Sequence, residues 1–363
     1  MKTEILRIIE GGLTNDRRKI VSYANRLADR LTEEGETALA ECIREKISAS
    51  PQSSAVADAM RTIPLDADSR LQIVEIIPST EKRQDIVLSD LVGSQVDEFI
   101  NLVKHQSELE LAGVEIKKSL LLYGKPGCGK TSIAHYISEK TGLPLIVARL
   151  DGIVSSLLGS TAKNLRKIFE YATSMPCILF LDEFDAIAKA RNDAHELGEL
   201  KRVINSLLQN IDSMPSSSVL IAATNHPEML DPAVWRRFVQ IIEVGLPAGE
   251  DIADMVNVFT GDFRSELSGD KNRVGFFVEA VEGLSPSDIK TIFDRAKAKS
   301  VMAGQKEITL AGLLAGVFEL KSEDRSEESY IKFLRQYGLT QTEINKATGV
   351  SLRKIKELCS TRL

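Results

Sequence analysis

The chain has 363 residues, 43% of them hydrophobic and 27% charged, with a formal net charge of −6. At roughly 100–200 residues per domain, this length supports two or three domains with ample core. The composition is that of an ordinary globular protein; it carries no global signature of nucleic-acid binding, and no apolar run approaches the roughly 18–20 residues that span a bilayer.

The opening "MKTEILRIIEGG" sets acids inside its apolar pattern and lacks a small-residue cleavage site, so it does not read as a signal peptide. Residues 1–50 are predicted helical. "DRRKIVSYANRLADRL" spaces Ile20, Tyr23, Ala24, Leu27 and Leu31 on one face, and "ETALAECIREKI" does the same with Leu39, Cys42, Ile43 and Ile47. These helices read as an appendage that binds a partner or substrate. Residues 51–85 begin rich in Ser, Ala, Pro and Asp and read as a linker, with a short strand expected at "LQIVEII".

From residue 86 to about 247 the apolar runs "SLLLYG", "LPLIVARLD", "CILFLDEFD", "SVLIAATN" and "VQIIEVGLP" alternate with helical stretches. Runs this apolar suit parallel strands buried on both faces, with helices as crossovers, so the fold class is an α/β sandwich. Residues 248–320 are predicted all-helical, a small lid, and residues 325–363 form a further helical unit. The four cysteines, Cys42, Cys128, Cys177 and Cys359, form no CxxC pair. That points to reduced thiols, a cytoplasmic location and no zinc site.

Between the first of these strands and a helix stands Gly124-Lys125-Pro126-Gly127-Cys128-Gly129-Lys130-Thr131, which fits G-x-x-x-x-G-K-[ST]. Glycines let such a loop curl so that backbone N–H groups face anionic oxygen. The helix start adds its positive dipole end. The Lys130 ammonium is placed for the β- and γ-phosphates, and the Thr131 hydroxyl for Mg²⁺. Lys125 through Thr131, with Ser132 after them, are therefore candidate nucleotide-binding residues, and Cys128 predicts an activity sensitive to thiol alkylation.

"CILFLDEFDAI" ends a buried strand on Asp182 and Glu183. A carboxylate there is costly unless a cation faces it, and a magnesium–nucleotide complex supplies that charge. Asp182 is assigned to the magnesium shell and Glu183 to deprotonation of the attacking water. Asn225, ending "VLIAATN", reads either as a sensor of water and γ-phosphate or as the start of a turn, since Asn-His-Pro is good turn chemistry. Arg236 and Arg237 read either as a solvated basic pair or as guanidinium groups offered to a neighbour's γ-phosphate.

The motifs "LSDLVG", "GKPGCGKT", "ILFLDEFDAI", "AATN", "RRF" and "GLSPSDI", in this order, resemble the AAA+ ATPases and within them the AAA clade, over about residues 86–318. The resemblance implies a P-loop parallel-sheet sandwich with a helical lid, binding Mg-ATP between subunits of a hexameric ring. It makes Lys130 and Thr131 the Walker A pair, Asp182 and Glu183 the Walker B pair, Asn225 the first sensor, and Arg236 and Arg237 the arginine fingers. It brings Gly283 and Ser287 toward the nucleotide and lays Val92 and Gly93 against the adenine. One departure concerns the pore loop, where the family has aromatic–aliphatic–Gly and this chain has Leu157-Leu158-Gly159. Leucine offers an apolar wedge with less area than an aromatic ring, so the grip on a threaded polypeptide is expected to be weaker. The N-terminal helices also resemble those of bacterial AAA ATPases encoded beside subtilisin-like proteases, in modules linked to stress or phage defence. That implies a protein partner of this kind.

The tail "YGLTQTEINKATGVSLRKIKELC" has a helix-turn-helix cadence. Thr340 caps a first helix with Ile344 and Ala347 apolar, Gly349 makes the turn, and Ser351 caps a second helix. That helix directs Leu352, Ile355 and Leu358 inward and Arg353, Lys354 and Lys356 outward. From Ser329 on there are seven Lys/Arg against two Glu. Two readings stay open for residues 325–363: a protein-docking module, or a DNA contact acting in several copies.

Overall fold

A computed structural model describes residues 72–81, 86–150, 158–186 and 197–360, with 63–66 and scattered positions between 23 and 43. Two compact units divide the chain. The first takes 1–81, 106–119 and 138–221, and the second takes 82–105, 120–137 and 222–363.

Six strands form one sheet: β1 (Glu75–Ile77), β2 (Lys118–Tyr123), β3 (Leu145–Arg149), β4 (Ile178–Asp182), β5 (Val219–Thr224) and β6 (Gln240–Glu243), in the order β1-β3-β4-β5-β2-β6. β3 runs parallel to β4 with Leu145 opposite Ile178, and β2 runs parallel to β6 with Leu120 opposite Gln240. The short β1 pairs antiparallel with β3. Leu120–Leu122, Ile178–Leu181 and Val219–Ala223 are buried without alternation, as strands covered on both faces require.

In the first unit, α2 (Gln106–Leu111) precedes β2, and α4 (Leu158–Thr173) and α5 (Leu197–Ser213) pack on each other. Lys117 donates its ammonium to the carbonyls of Ile211 (3.4 Å) and Asp212 (2.8 Å), a cation at the negative end of α5. The described N-terminal positions cluster around buried Ala28, Leu31 and Ala40, with Leu27 and Ile43 against them. Leu39 and Cys42, expected on that apolar face, are instead exposed. The inward side of this stretch holds Ile43, as expected, with Ala40 three residues before it.

The second unit holds α1 (Asp90–Lys104), α3 (Lys130–Thr141, shared with the first unit beyond residue 137), α6 (Pro232–Trp235) and a run of helices: α7 (Glu250–Thr260), α8 (Lys271–Val281), α9 (Pro286–Met302), α10 (Leu310–Lys321), α11 (Glu327–Gln336), α12 (Gln341–Thr348) and α13 (Leu352–Ser360). A two-stranded pair, β7 (Arg264–Ser265) and β8 (Glu307–Ile308), staples the lid. One apolar core runs from Ile252, Phe277, Ile292 and Leu313 into Ile331, Leu334, Ile344 and Ile355. The three C-terminal helices thus share their interior with the lid. Arg273 on α8 reinforces the join, reaching Glu343 of α12 at 2.6 Å and Glu266 at 2.8 Å. Gly338 (φ +88) lies so close to Phe276 that an added Cβ would stand 2.3 Å from its ring.

Thr340 caps α12 in a capping box with Glu343, and Gly349 closes the helix in a left-handed conformation. Two tail positions depart from the expected pattern: Leu352, expected inward, is 41% exposed, and Ala347 is exposed. Ile355 alone anchors α13 fully, with Leu358 and Cys359 half-buried beside it; with Ile355 at the centre of the buried face, Leu352 sits one turn before it at the helix edge. Among the described residues no helix is long and apolar enough to cross a membrane.

Candidate nucleotide site

After β2 the chain turns at Gly124 (φ +147), where an added Cβ would come within 2.1 Å of the Val244 carbonyl oxygen. The Val244 amide donates to the Tyr123 carbonyl at 2.7 Å, extending the β2–β6 pairing right up to the turn. Only glycine fits so near a neighbouring backbone. The loop then runs to the first turn of α3, where Lys130 is buried and its ammonium donates to the carbonyls of Gly124 (2.8 Å) and Lys125 (2.9 Å). That cation is thereby folded back over the loop. Thr131 and Ser132 are exposed at the start of α3.

Cys128 is buried, and that burial pushes its thiol above the ordinary range, against the opposing pull of Lys130 and Lys125. A buried protonated thiol is a poor nucleophile, so alkylation at Cys128 is expected to be slow.

The lid meets the loop at Gly127. Ser287 of α9 donates its backbone N–H to the Gly127 carbonyl at 3.2 Å. A Cβ on Gly127 would lie 2.6 Å from Ser285 Oγ. Ser285 caps α9 in a capping box: Asp288 N donates to its hydroxyl, and Asp288 accepts from the Ser285 amide (3.1 Å) and hydroxyl (2.7 Å). Sequence reasoning did not single out Ser285 or Asp288, although the S-x-x-D spacing within "GLSPSDI" is the signature of that cap. Gly283 stands just before it with φ +83. On α1, Val92 is buried, and Gly93 opens onto a hollow of about 760 Å³ lined also by Leu88, Asp90, Asp97 and Glu98.

In the first unit, Asp182 closes β4 and Glu183 follows in the left-handed region, φ +53, the one non-glycine residue there among those described. The Glu183 amide donates to Asp182 Oδ1 at 3.0 Å, and its carbonyl accepts from the Ala186 amide at 2.9 Å. Phe184 and Asp185 are buried beneath the turn while Glu183 is exposed. A strained backbone of this kind costs on the order of 1–3 kcal/mol and concentrates at functional sites.

In the second unit, Asn225 follows β5 and is half-buried, and the Thr224 hydroxyl accepts from the His226 amide at 3.0 Å. Asp231 caps α6, Arg236 is exposed at its end, and Arg237 donates to the Ala233 carbonyl at 2.7 Å. Leu157 lies outside the described residues, and Leu158 and Gly159 open α4.

The turn fits a nucleotide's phosphate chain. It offers a glycine-built backbone, a helix start and an ammonium now held by neutral carbonyls, which phosphate oxygens can replace with stronger, charge-assisted bonds. Among the described residues no group of three or more His, Cys, Asp or Glu is placed to hold a metal. Magnesium bound with phosphates needs only one or two side-chain oxygens, and Thr131 and Asp182 have the right chemistry for it.

The family model described as "ATPase family associated with various cellular activities (AAA)" matches residues 120–246. The chain is 34% identical over 291 residues, 79% of its length and 86% of the relative's, to "Uncharacterized AAA family ATPase y4kL" of Sinorhizobium fredii. It is 32% identical over 292 residues to the "Proteasome-activating nucleotidase" of Thermococcus onnurineus, covering 74% of this chain and 72% of that one. To the protein of the same name from Methanococcus vannielii it is 29% identical, covering 77% and 70%.

Proposed function

The chain belongs to the AAA family of ATPases, and from that premise we propose that it couples ATP hydrolysis to remodelling of a protein partner, as a cytoplasmic ring assembly, hexameric with nucleotide. The observation that carries the nucleotide reading is the Lys130 ammonium held over a glycine-built turn by the Gly124 and Lys125 carbonyls. Two of the relatives are named for activating a proteasome, which supports a protein rather than a small molecule as the object of the work. A subtilisin-like protease is the partner proposed from the N-terminal helices.

Bound Mg-ATP supplies the phosphoanhydride that is cleaved. Around it, Lys125 to Ser132 wrap the phosphates, Thr131 and Asp182 hold the magnesium, and Val92, Gly93, Gly283 and Ser287 border the nucleotide. Glu183 takes a proton from the attacking water and Asn225 orients that water. Arg236 and Arg237 of one copy serve the γ-phosphate held by the next. Leu157, Leu158 and Gly159 provide a weak apolar grip on the substrate chain.

Removal of the ammonium in Lys130→Ala is expected to abolish ATP binding measured by calorimetry, and unchanged binding refutes the role of the loop. Glu183→Gln is expected to bind ATP yet release phosphate about 10²–10⁴-fold more slowly, the range for loss of a general base. Partners that co-purify with Glu183→Gln in ATP then identify the substrate. ATPase stimulation by such a partner that survives Leu157→Ala counts against the grip.

A further inference from the structure

We infer that α13 is a DNA-reading helix, and that the C-terminal three-helix module docks it in the major groove of duplex DNA. α12 and α13 are joined by three residues, 349–351, a turn tied by Asn345, whose carbonyl accepts from the Gly349 amide (2.8 Å) and whose side chain donates to the Val350 carbonyl (2.7 Å). Helices α11, α12 and α13 pack on one another, with Ile331, Leu334, Leu339, Ile344 and Ile355 sealing the interior. A second helix held this way after a tight turn is the element that such modules lay in the groove, with its first residues toward the base edges.

The outward face of α13 supplies the matching chemistry. Leu352, Arg353, Lys354, Lys356 and Glu357 are all exposed, as is Lys346 near the end of α12. Two carboxylates temper this face: Glu357 on the helix itself, and Glu327 of α11, which pairs with Lys354. Over the whole module, residues 325–363, eight Lys/Arg stand against four Glu, a positive balance that opposes the −6 of the whole chain. Such a concentration of cations is the electrostatic footprint of phosphate binding. Leu352, at the helix start, suits the methyl group of a thymine. A protein-docking face would need a larger apolar centre than the one exposed leucine α13 offers. An RNA duplex is disfavoured because its major groove is too narrow to admit a helix.

The test is fluorescence anisotropy of the full chain with a fluorescein-labelled duplex of mixed sequence, titrated between about 50 and about 200 mM salt, with double-stranded RNA as competitor. At about −0.9 per phosphate contact, log affinity is expected to fall with log salt at a slope of at least about −2. The double variant Arg353→Glu/Lys356→Glu is expected to weaken binding at least about tenfold and to flatten the slope by about two. Arg353→Ala/Lys356→Ala should shift both in the same direction, while ATP turnover without DNA stays unchanged in each. Absence of binding at the lowest salt overturns the inference. So does affinity indifferent to both variants, which places the contact elsewhere and leaves the module a protein-docking one, and so does RNA that competes as well as DNA.

Discussion

At residues 124–130 the chain makes a concave turn out of glycine and backbone groups, and the one buried cation there rests on carbonyls of its own loop. At residues 327–360 the same unit fills its interior with Ile331, Leu334, Ile344 and Ile355 and clamps it with Arg273, whose guanidinium reaches Glu343 and Glu266. The first region keeps its polar groups ready for exchange with a ligand, and the second satisfies them within the protein. A nucleotide turn that filled itself like the tail would have no place for phosphate. A tail as open as the turn would have no fixed helix to present.

The largest effect expected from this contrast is at Gly124. Gly124→Ala drives a methyl group into the Val244 carbonyl oxygen, which cannot move without β6, and about 3 kcal/mol of strain is expected. ATP affinity by calorimetry should fall about 100-fold. Next is Gly338→Ala, where left-handed backbone and the Phe276 ring oppose the new methyl group. Chemical denaturation should show the unit destabilised by about 2 kcal/mol, about a 30-fold shift in the folding equilibrium, with ATP affinity unchanged. If Gly338→Ala weakens nucleotide binding more than Gly124→Ala does, the contrast between the two regions fails.

Cys128 sharpens the comparison from within the loop. Because burial raises its thiol, alkylation followed by mass spectrometry should accelerate about tenfold per pH unit above neutrality, and ATP should protect the residue. A fast, pH-independent reaction would show the turn to be open rather than packed around this side chain.

The smallest effect is expected at Glu343. Burial works against its charge, but the Thr340 hydroxyl and amide and the Arg273 guanidinium outweigh that and hold the carboxyl below its ordinary range. A lowered carboxyl stabilises the fold at pH above the ordinary carboxylate range, and that contribution disappears as pH falls through the folded-state value. Glu343→Gln should therefore cost about 1 kcal/mol near neutrality, about a fivefold shift. The gap to the parent chain should close in acid melts. A gap that widens in acid would mean that Glu343 does not support the join as a carboxylate.

The sheet and the glycine turn after β2 were legible in the sequence because each rests on short-range necessity. Unbroken apolar runs such as "ILFL" mark strands covered on both faces, and a backbone curled around phosphate requires glycine and lysine at fixed spacing. The join between lid and tail was not legible. Arg273 and Glu343 stand 70 residues apart, and nothing local in either marks the other as its partner. Leu352 misled for a related reason: helical spacing fixes which residues share a face, but only tertiary packing decides how wide the buried part of that face is. The Ser285–Asp288 cap was present in the sequence as a spacing, and its closeness to Gly127 became evident only in the fold.

The left-handed backbone at Glu183 has a consequence for the stability of this protein. Asparagine settles into that conformation more readily than glutamate does, so Glu183→Asn is expected to relax the peptide while shortening the side chain proposed to draw the proton. The disabled protein should then melt at a higher temperature than the working one. Retention of glutamate there would reflect selection for turnover at the expense of thermal endurance.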